Sequence, residues 1–209
     1  EQYDFPAIDN GDVIKSVLPH ERPSGITGFV MNTRRPIFAD WRVRDALIHA
    51  FNFEFINGKM TGAQQPRITS YFSNSVLGME AGPATGRVKE LLEPFAAELL
   101  PGALGGYTLP ASDGSERNRA NIRKALGLME EAGWTVQGGE LKNAGGQPFT
   151  FEILLRQGEA ENKAIIDIYV QALERLGVKP SITVVDSAGY KERTTVYDFD
   201  MTYYRRGLS

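Results

Sequence analysis

Any chemistry in this chain has to be assembled without sulfur nucleophiles and almost without imidazole. The 209 residues include no cysteine and only two histidines, His20 and His49. That removes disulfides, thiolate metal sites and cysteine nucleophiles together, and the separation of the two histidines matches no metal-ligand spacing. The sequence holds no Gly-x-x-x-x-Gly-Lys-Ser/Thr phosphate loop, no Gly-x-Gly-x-x-Gly turn after a strand and no Gly-x-Ser-x-Gly nucleophile elbow. Two carboxylate pairs remain. Glu130 and Glu131 are neighbours on a predicted helix and point in different directions. Asp198 and Asp200 straddle the start of a predicted strand and share a face, so they are the better acid/base candidates. A solvated, structural role is the plainer reading of either pair. Ser73 and Ser187 are the hydroxyls a small α/β hydrolase or transferase would use, but nothing near them has the spacing of a base and its orienting partner. His49 falls beside the apolar stripe of a predicted helix and reads as a surface or boundary residue.

More telling are the polar and aromatic residues that follow predicted strands. Asn32 and Thr33 follow the first, Arg156 and Gln157 follow a second, and Tyr203, Tyr204 and Arg205 end the last. In open α/β sheets, ligands bind in the crevice beyond the carboxyl ends of the strands. A guanidinium fork at Arg156 suits a ligand carboxylate, and Tyr203 and Tyr204 can stack on or hydrogen-bond a peptide. Each alone reads equally well as a strand cap; a shared edge of the sheet raises the binding reading.

The elements that must position these residues are legible in the pattern. Residues 1–25 form an irregular lead-in with Pro6, Pro19 and Pro23 and a β-like stretch at 13–18. A buried strand over 25–31 ends at Asn32. Asp40 then caps a helix whose apolar stripe is Val43, Leu47, Ile48 and Phe51, with Arg42 and Arg44 off the stripe. Residues 53–60 continue as helix, and 61–85 read as a long loop of the kind that is functional or disordered. Residues 88–100 are helical by pattern, with a break or a new start at Pro94. Ser115 caps a helix over 116–131 that buries Ile122, Ala125, Leu126 and Met129 and stops at Gly133. A hairpin turns at Gly138-Gly139. Strands at 149–155, 182–185 and 199–204 then alternate with a helix over 160–176 and a short one capped by Ser187. That alternation predicts an α/β fold with a mixed, mostly parallel sheet flanked by helices.

Composition excludes several classes of partner. Twenty-six acidic and 23 basic side chains give a net charge of −3, which is no footprint for nucleic acid. No stretch approaches the roughly 20 apolar residues of a membrane-spanning helix. The first residues are polar, with no basic and apolar leader, and the sequence does not begin with Met, so the chain is expected to be processed or trimmed.

One stretch resembles a known family. Gly28-Phe29-Val30-Met31-Asn32-Thr33-Arg34-Arg35-Pro36-Ile37-Phe38-Ala39-Asp40-Trp41-Arg42-Val43-Arg44-Asp45-Ala46-Leu47 resembles a hallmark of the family 5 extracellular solute-binding proteins, the dipeptide, oligopeptide and nickel binders of ABC importers. Where that family often continues Ala-Φ-Asp-Arg, this chain has Ala50-Phe51-Asn52-Phe53-Glu54. Glu131-Ala132-Gly133-Trp134, Leu173-Glu174-Arg175-Leu176-Gly177-Val178-Lys179 and Tyr197-Asp198-Phe199-Asp200-Met201 resemble further family motifs in order and spacing. Tyr71-Phe72-Ser73-Asn74-Ser75 and Tyr3-Asp4-Phe5-Pro6-Ala7 look most like the subgroup that takes up modified peptides of the microcin C type.

The resemblance implies the type 2 periplasmic binding fold, with residues 26–209 as the second lobe of a clamshell and 1–25 crossing over from a first lobe built outside this segment. It implies a periplasmic, non-enzymatic receptor without a cofactor, which closes on a peptide or modified peptide and is recognised by the permease, so that it meets the membrane only through that partner. It places Asn32, Tyr71, Phe72, Arg156, Tyr203, Tyr204 and Arg205 at the cleft. Arg156 stands where the family's peptide-terminus Arg falls, and the amine-holding Asp is expected beyond Ser209. The same resemblance leaves sugars, nickel chelates and haem open as cargo.

Overall fold

The computed structural model describes residues 5–16 and 18–208. Tyr3 and Asp4 of the lead-in motif, Val17 and Ser209 lie outside them. Among the described residues of the lead-in, α1 (Pro6–Asp9) is the one regular element, and those of the stretch expected to be β-like form no strand. Its alternating apolar residues have no neighbouring strand to pair with: Ile14 and Leu18 are both more than four-fifths exposed.

β1 (Ile26–Met31) opens the main sheet. A 3-10 turn at Pro36–Phe38 then sends the chain into α2 (Trp41–Ala50), where the Asp40 carboxylate accepts from the Arg42 amide at 2.9 Å, as expected of an N-cap. The two arginines off the apolar stripe hold the joints of this helix. Arg42 grips Asp40 and donates to the Glu131 carbonyl at 2.6 Å, while Arg44 donates to the Phe38 and Ala39 carbonyls. α3 (Phe53–Thr61) follows, and residues 62–85 carry no helix or strand. α4 (Gly86–Leu92) gives way at Pro94 to a 3-10 turn.

α5 (Arg119–Glu131) starts later than its sequence suggests. Ser115 does not cap it. Asn118 does so in position, at φ 43°, and its buried side chain donates to the His49 carbonyl at 3.2 Å. A tertiary contact with the C-terminus of α2 thus overrides a local helix signal. After the hairpin of β2 (Thr135–Gln137) and β3 (Glu140–Lys142) come β4 (Glu152–Arg156), α6 (Ala160–Arg175), β5 (Ser181–Val185), α7 (Ser187–Thr195) and β6 (Met201–Arg206). The cap of α7 is Asp186, not Ser187: its carboxylate accepts from the Gly189 amide at 2.8 Å. Among the described residues no helix is long and apolar enough to cross a membrane.

The sheet runs β1-β6-β4-β5. β4 pairs in parallel with both β5 and β6, whereas β1 lies antiparallel to β6, with Ile26 opposite Arg206 and Met31 opposite Met201. Alternation along β4 sorts its side chains between two layers. Ile153 and Leu155 join the main core with Phe38 of the 3-10 turn, Leu47 of α2, Met129 of α5 and Ile166 and Leu173 of α6. Leu154, equally buried, belongs to the opposite face, where α7 packs on β4 and β5. Beyond the contact of α7 with Thr202, Val30 and Tyr204 on the same face of β1 and β6 border an open concavity.

Two features of this frame lead to predictions. Gly25 is buried at φ +70°, and a Cβ there would sit 2.0 Å from the Arg206 carbonyl oxygen. Gly25→Ala should therefore cost at least about 2 kcal/mol, through both the left-handed backbone and the clash with the end of β6. A fall in the urea midpoint checks this. Contrary to the boundary position expected of it, His49 is buried, and its Nδ1 lacks a hydrogen-bond partner among the described residues. Burial holds its pKa below the ordinary value, against the opposing pull of Asp45. The folded chain then binds fewer protons than the unfolded one as pH falls below about 6.5, so stability should decline from there toward the lowered native pKa. Unfolding midpoints across that range should show the decline in the wild type and a shallower one in His49→Gln.

Candidate functional site

The face of β1 and β6 opposite the main core is the floor of an open concavity of about 700 Å³. Val30, Thr202 and Tyr204 come from these strands and Asn32 follows β1; Tyr190, Thr194 and Thr195 come from α7; Arg34, Tyr71, Arg156, Glu159 and Tyr197 complete the walls. Of the residues singled out in the sequence, Asn32, Tyr71, Arg156, Tyr203, Tyr204 and Arg205 all border it, and Phe72 does not.

They do not share one edge of the sheet. Because β1 is antiparallel to β6, Asn32 lies beside Asp200 at the start of β6, while Tyr204, Arg205 and Arg156 lie at the far end. The candidate surface consequently stretches along the strands and not across their carboxyl ends. Asn32 is also fully committed to the fold. Its side-chain amide donates to the carbonyls of Tyr197 at 3.0 Å and Phe199 at 2.9 Å, and its oxygen accepts from the Arg34 amide at 3.2 Å. This buried clip closes the turn from α7 into β6, where Tyr197 takes φ 58°. It also sets Arg34, whose guanidinium lies 3.7 Å above the Tyr197 ring.

The other candidates divide by how they are held. Arg156 is exposed, with Nη2 2.7 Å and Nε 2.9 Å from Glu159, whose other oxygen accepts from Asn162. Tyr203 borders the concavity, but its ring packs edge-on against Phe29, which in turn faces Phe51. Tyr204 and Tyr71 are exposed and present their rings without such support. Tyr190 is a wall residue not anticipated from sequence. Its hydroxyl donates to the Tyr203 carbonyl at 2.7 Å and lies 2.8 Å from Thr202 Oγ1, which donates to the Leu154 carbonyl. Burial pushes the Tyr190 pKa up, so the hydroxyl stays protonated. The i, i+4 spacing of Tyr190 and Thr194 on α7 was the available signal.

Of the carboxylates and hydroxyls weighed for catalysis, Asp198, Asp200 and Ser73 have structural partners. Asp198 lies 2.9 Å from Arg193 and 3.0 Å from Arg35, and these guanidiniums hold its carboxyl below the usual range. Asp200 pairs with Arg35 at 3.1 Å and accepts from the Glu152 amide, and Glu152 in turn meets Arg193 at 2.6 Å. The network neutralises the pair and ties β6 to β4 and α7. The Ser73 hydroxyl donates to the Ser70 carbonyl within a turn, and the Ser73 carbonyl accepts from the Ser24 amide, seating the Tyr71 loop on the lead-in.

Comparison with known proteins places this geometry. The family described as bacterial extracellular solute-binding proteins, family 5 Middle, matches residues 2–209. A Brucella melitensis biotype 1 protein named as a binding protein is 40% identical over 200 residues, which is 95% of this chain and 32% of the relative. The peptidoglycan-binding protein YepA of Agrobacterium fabrum is 36% identical over 203 residues, 96% of this chain and 32% of its own length. The chain thus spans about a third of the relatives it matches. The oligopeptide-binding protein AppA of Bacillus subtilis, solved with a nonapeptide, superposes with a TM-score of 0.65 at 19% identity over 90% of this chain and 32% of AppA. The fold is therefore that of the type 2 periplasmic binding proteins, and the chain belongs to the family 5 bacterial extracellular solute-binding proteins.

Proposed function

We propose that the chain is the second lobe, residues 26–209 with 1–25 as its crossover, of a periplasmic receptor that binds peptides or modified peptides and hands them to an ABC importer's permease. The observation that carries this reading is the half-built site. A tyrosine- and arginine-lined concavity lies open along one sheet face, as expected where the first lobe supplies the other wall. Closure of two lobes on a ligand is a population shift driven by contacts from both. Arg156 is the anchor for a ligand carboxylate, exchanging part of its contact with Glu159 for the ligand. Tyr71 and Tyr204 offer aromatic faces and hydroxyls to a peptide backbone. The reading is of binding without turnover and without a cofactor.

A second reading concerns the cargo. YepA carries the name of a peptidoglycan-binding protein, and a cell-wall peptide is a modified peptide in the sense used here, so peptidoglycan fragments join ordinary oligopeptides as candidate ligands.

Calorimetry on the full-length receptor tests the proposal. Peptides of three to six residues should bind, and Arg156→Ala should weaken binding of those with a free terminal carboxylate by roughly tenfold, the loss of one charge-assisted contact. Indifference to every peptide and cell-wall fragment offered would overturn it.

A further inference from the structure

We infer that Gly28 is a specificity-determining residue on the floor of the concavity, a bare shelf of β1 backbone that seats a planar apolar side chain of the ligand against the Tyr204 ring. The inference rests on the peptide-binding reading and deepens it.

Strand register places the shelf. β1 and β6 pair without interruption from Ile26 opposite Arg206 to Met31 opposite Met201, with Gly28 opposite Tyr204 and Val30 opposite Thr202. Val30, Thr202 and Tyr204 border the concavity. Successive residues of a strand face opposite sides of the sheet, so position 28 lies on the same face as Ile26, Val30 and Tyr204. Phe29 and Tyr203, one step out of phase, pack their rings together on the other side. Position 28 is therefore flanked along its own strand by Ile26 and Val30 and across the pair by Tyr204.

The fold itself gives no reason for glycine there. A glycine inside a strand weakens it, through lost backbone entropy and a missing side chain to pack. A left-handed backbone, a bulge or a crowding neighbour can compensate. Gly25 has the first and the last of these, and Gly28 has none. Its φ lies outside the left-handed region, the unbroken register leaves no bulge, and a Cβ added there would meet nothing within 4 Å among the described residues. Tyr204 does not fold over it either, although an aromatic across a strand pair can cover a glycine in that way. The reason left for a strand glycine is close approach by a ligand or another backbone, and continuity with the concavity favours the ligand. Its class follows from the surroundings. The seat is a flat peptide plane between two apolar side chains, and the exposed Tyr204 ring stands beside it. A ligand ring laid on that plane buries one face and meets Tyr204 edge-on or offset, the geometries aromatic pairs prefer.

The test uses the full-length receptor with penta-alanine and a set of pentapeptides that carry a single Phe at each position of the alanine chain in turn. At least one Phe peptide should bind about tenfold tighter than penta-alanine, the gain expected from burying much of one ring. Gly28→Val should erase that preference, because the valine side chain takes the seat of the ring. Without ligand, the same variant should keep or raise the urea midpoint, since valine suits a strand better than glycine and has free space to enter. Wild-type affinities for every Phe peptide within about twofold of penta-alanine, or a Gly28→Val receptor that keeps the preference, would overturn the inference. A lowered urea midpoint in Gly28→Val would overturn it as well, by showing that another part of the chain fills the shelf. Failure of the wild type to bind any of these peptides would overturn the peptide-binding reading beneath it, and the inference with it.

Discussion

The antiparallel seating of β1 on β6 is the constraint on which the rest of the site depends. Had β1 run parallel to its neighbours, Asn32 would lie at the same end of the sheet as Arg156, and the polar residues would cluster beyond the strand ends. Reversed, it carries Asn32 to the start of β6, where the amide can clip the Tyr197 and Phe199 carbonyls. The clip sets the left-handed turn at Tyr197, the turn presents its ring to Arg34, and the floor of the site becomes the length of two strands. Burying that amide without its three partners would cost about 1–3 kcal/mol, so the arrangement is fixed by polar satisfaction as much as by apolar packing.

Two layers of unequal thickness turn this pairing into a cavity. On one face, α2, α5 and α6 bury a continuous core with Ile153, Leu155 and Met201. On the other, α7 packs on β4 and β5. Tyr190 ties α7 to β6 at the boundary, and the Arg35–Asp198–Arg193–Glu152 network fastens the start of the same strand. These partly exposed ion pairs add little stability individually. Their joint effect is to fix the angle between the turn at Tyr197 and the sheet.

Much of this was legible without coordinates. The Asp40 cap, the Gly138-Gly139 hairpin, the helix ending before Gly177 and the mostly parallel strand–helix alternation are local signals, and each appears where its pattern places it. The departures have physical causes, one tertiary and one local. Asn118 docks on the end of α2 and delays a helix, and Asp186 outcompetes Ser187 as a cap because its longer reach accepts the Gly189 amide. The lead-in stretch expected to be β-like finds no strand to pair with.

The sequence by itself determined most element types, the family resemblance and the chemistry available: tyrosines, arginines and amides, with no cysteine and two histidines. Hydrophobic period, caps and turn residues act over a few positions and can be read in one dimension. Only the tertiary structure decided which of these residues face one another, because strand direction is set by pairing across more than 160 residues of chain, between Asn32 and Phe199. It turned the Tyr203 ring toward Phe29 and spent the Asn32 amide on the fold. Coulombic and hydrogen-bond complementarity depend on distances that no sequence spacing encodes.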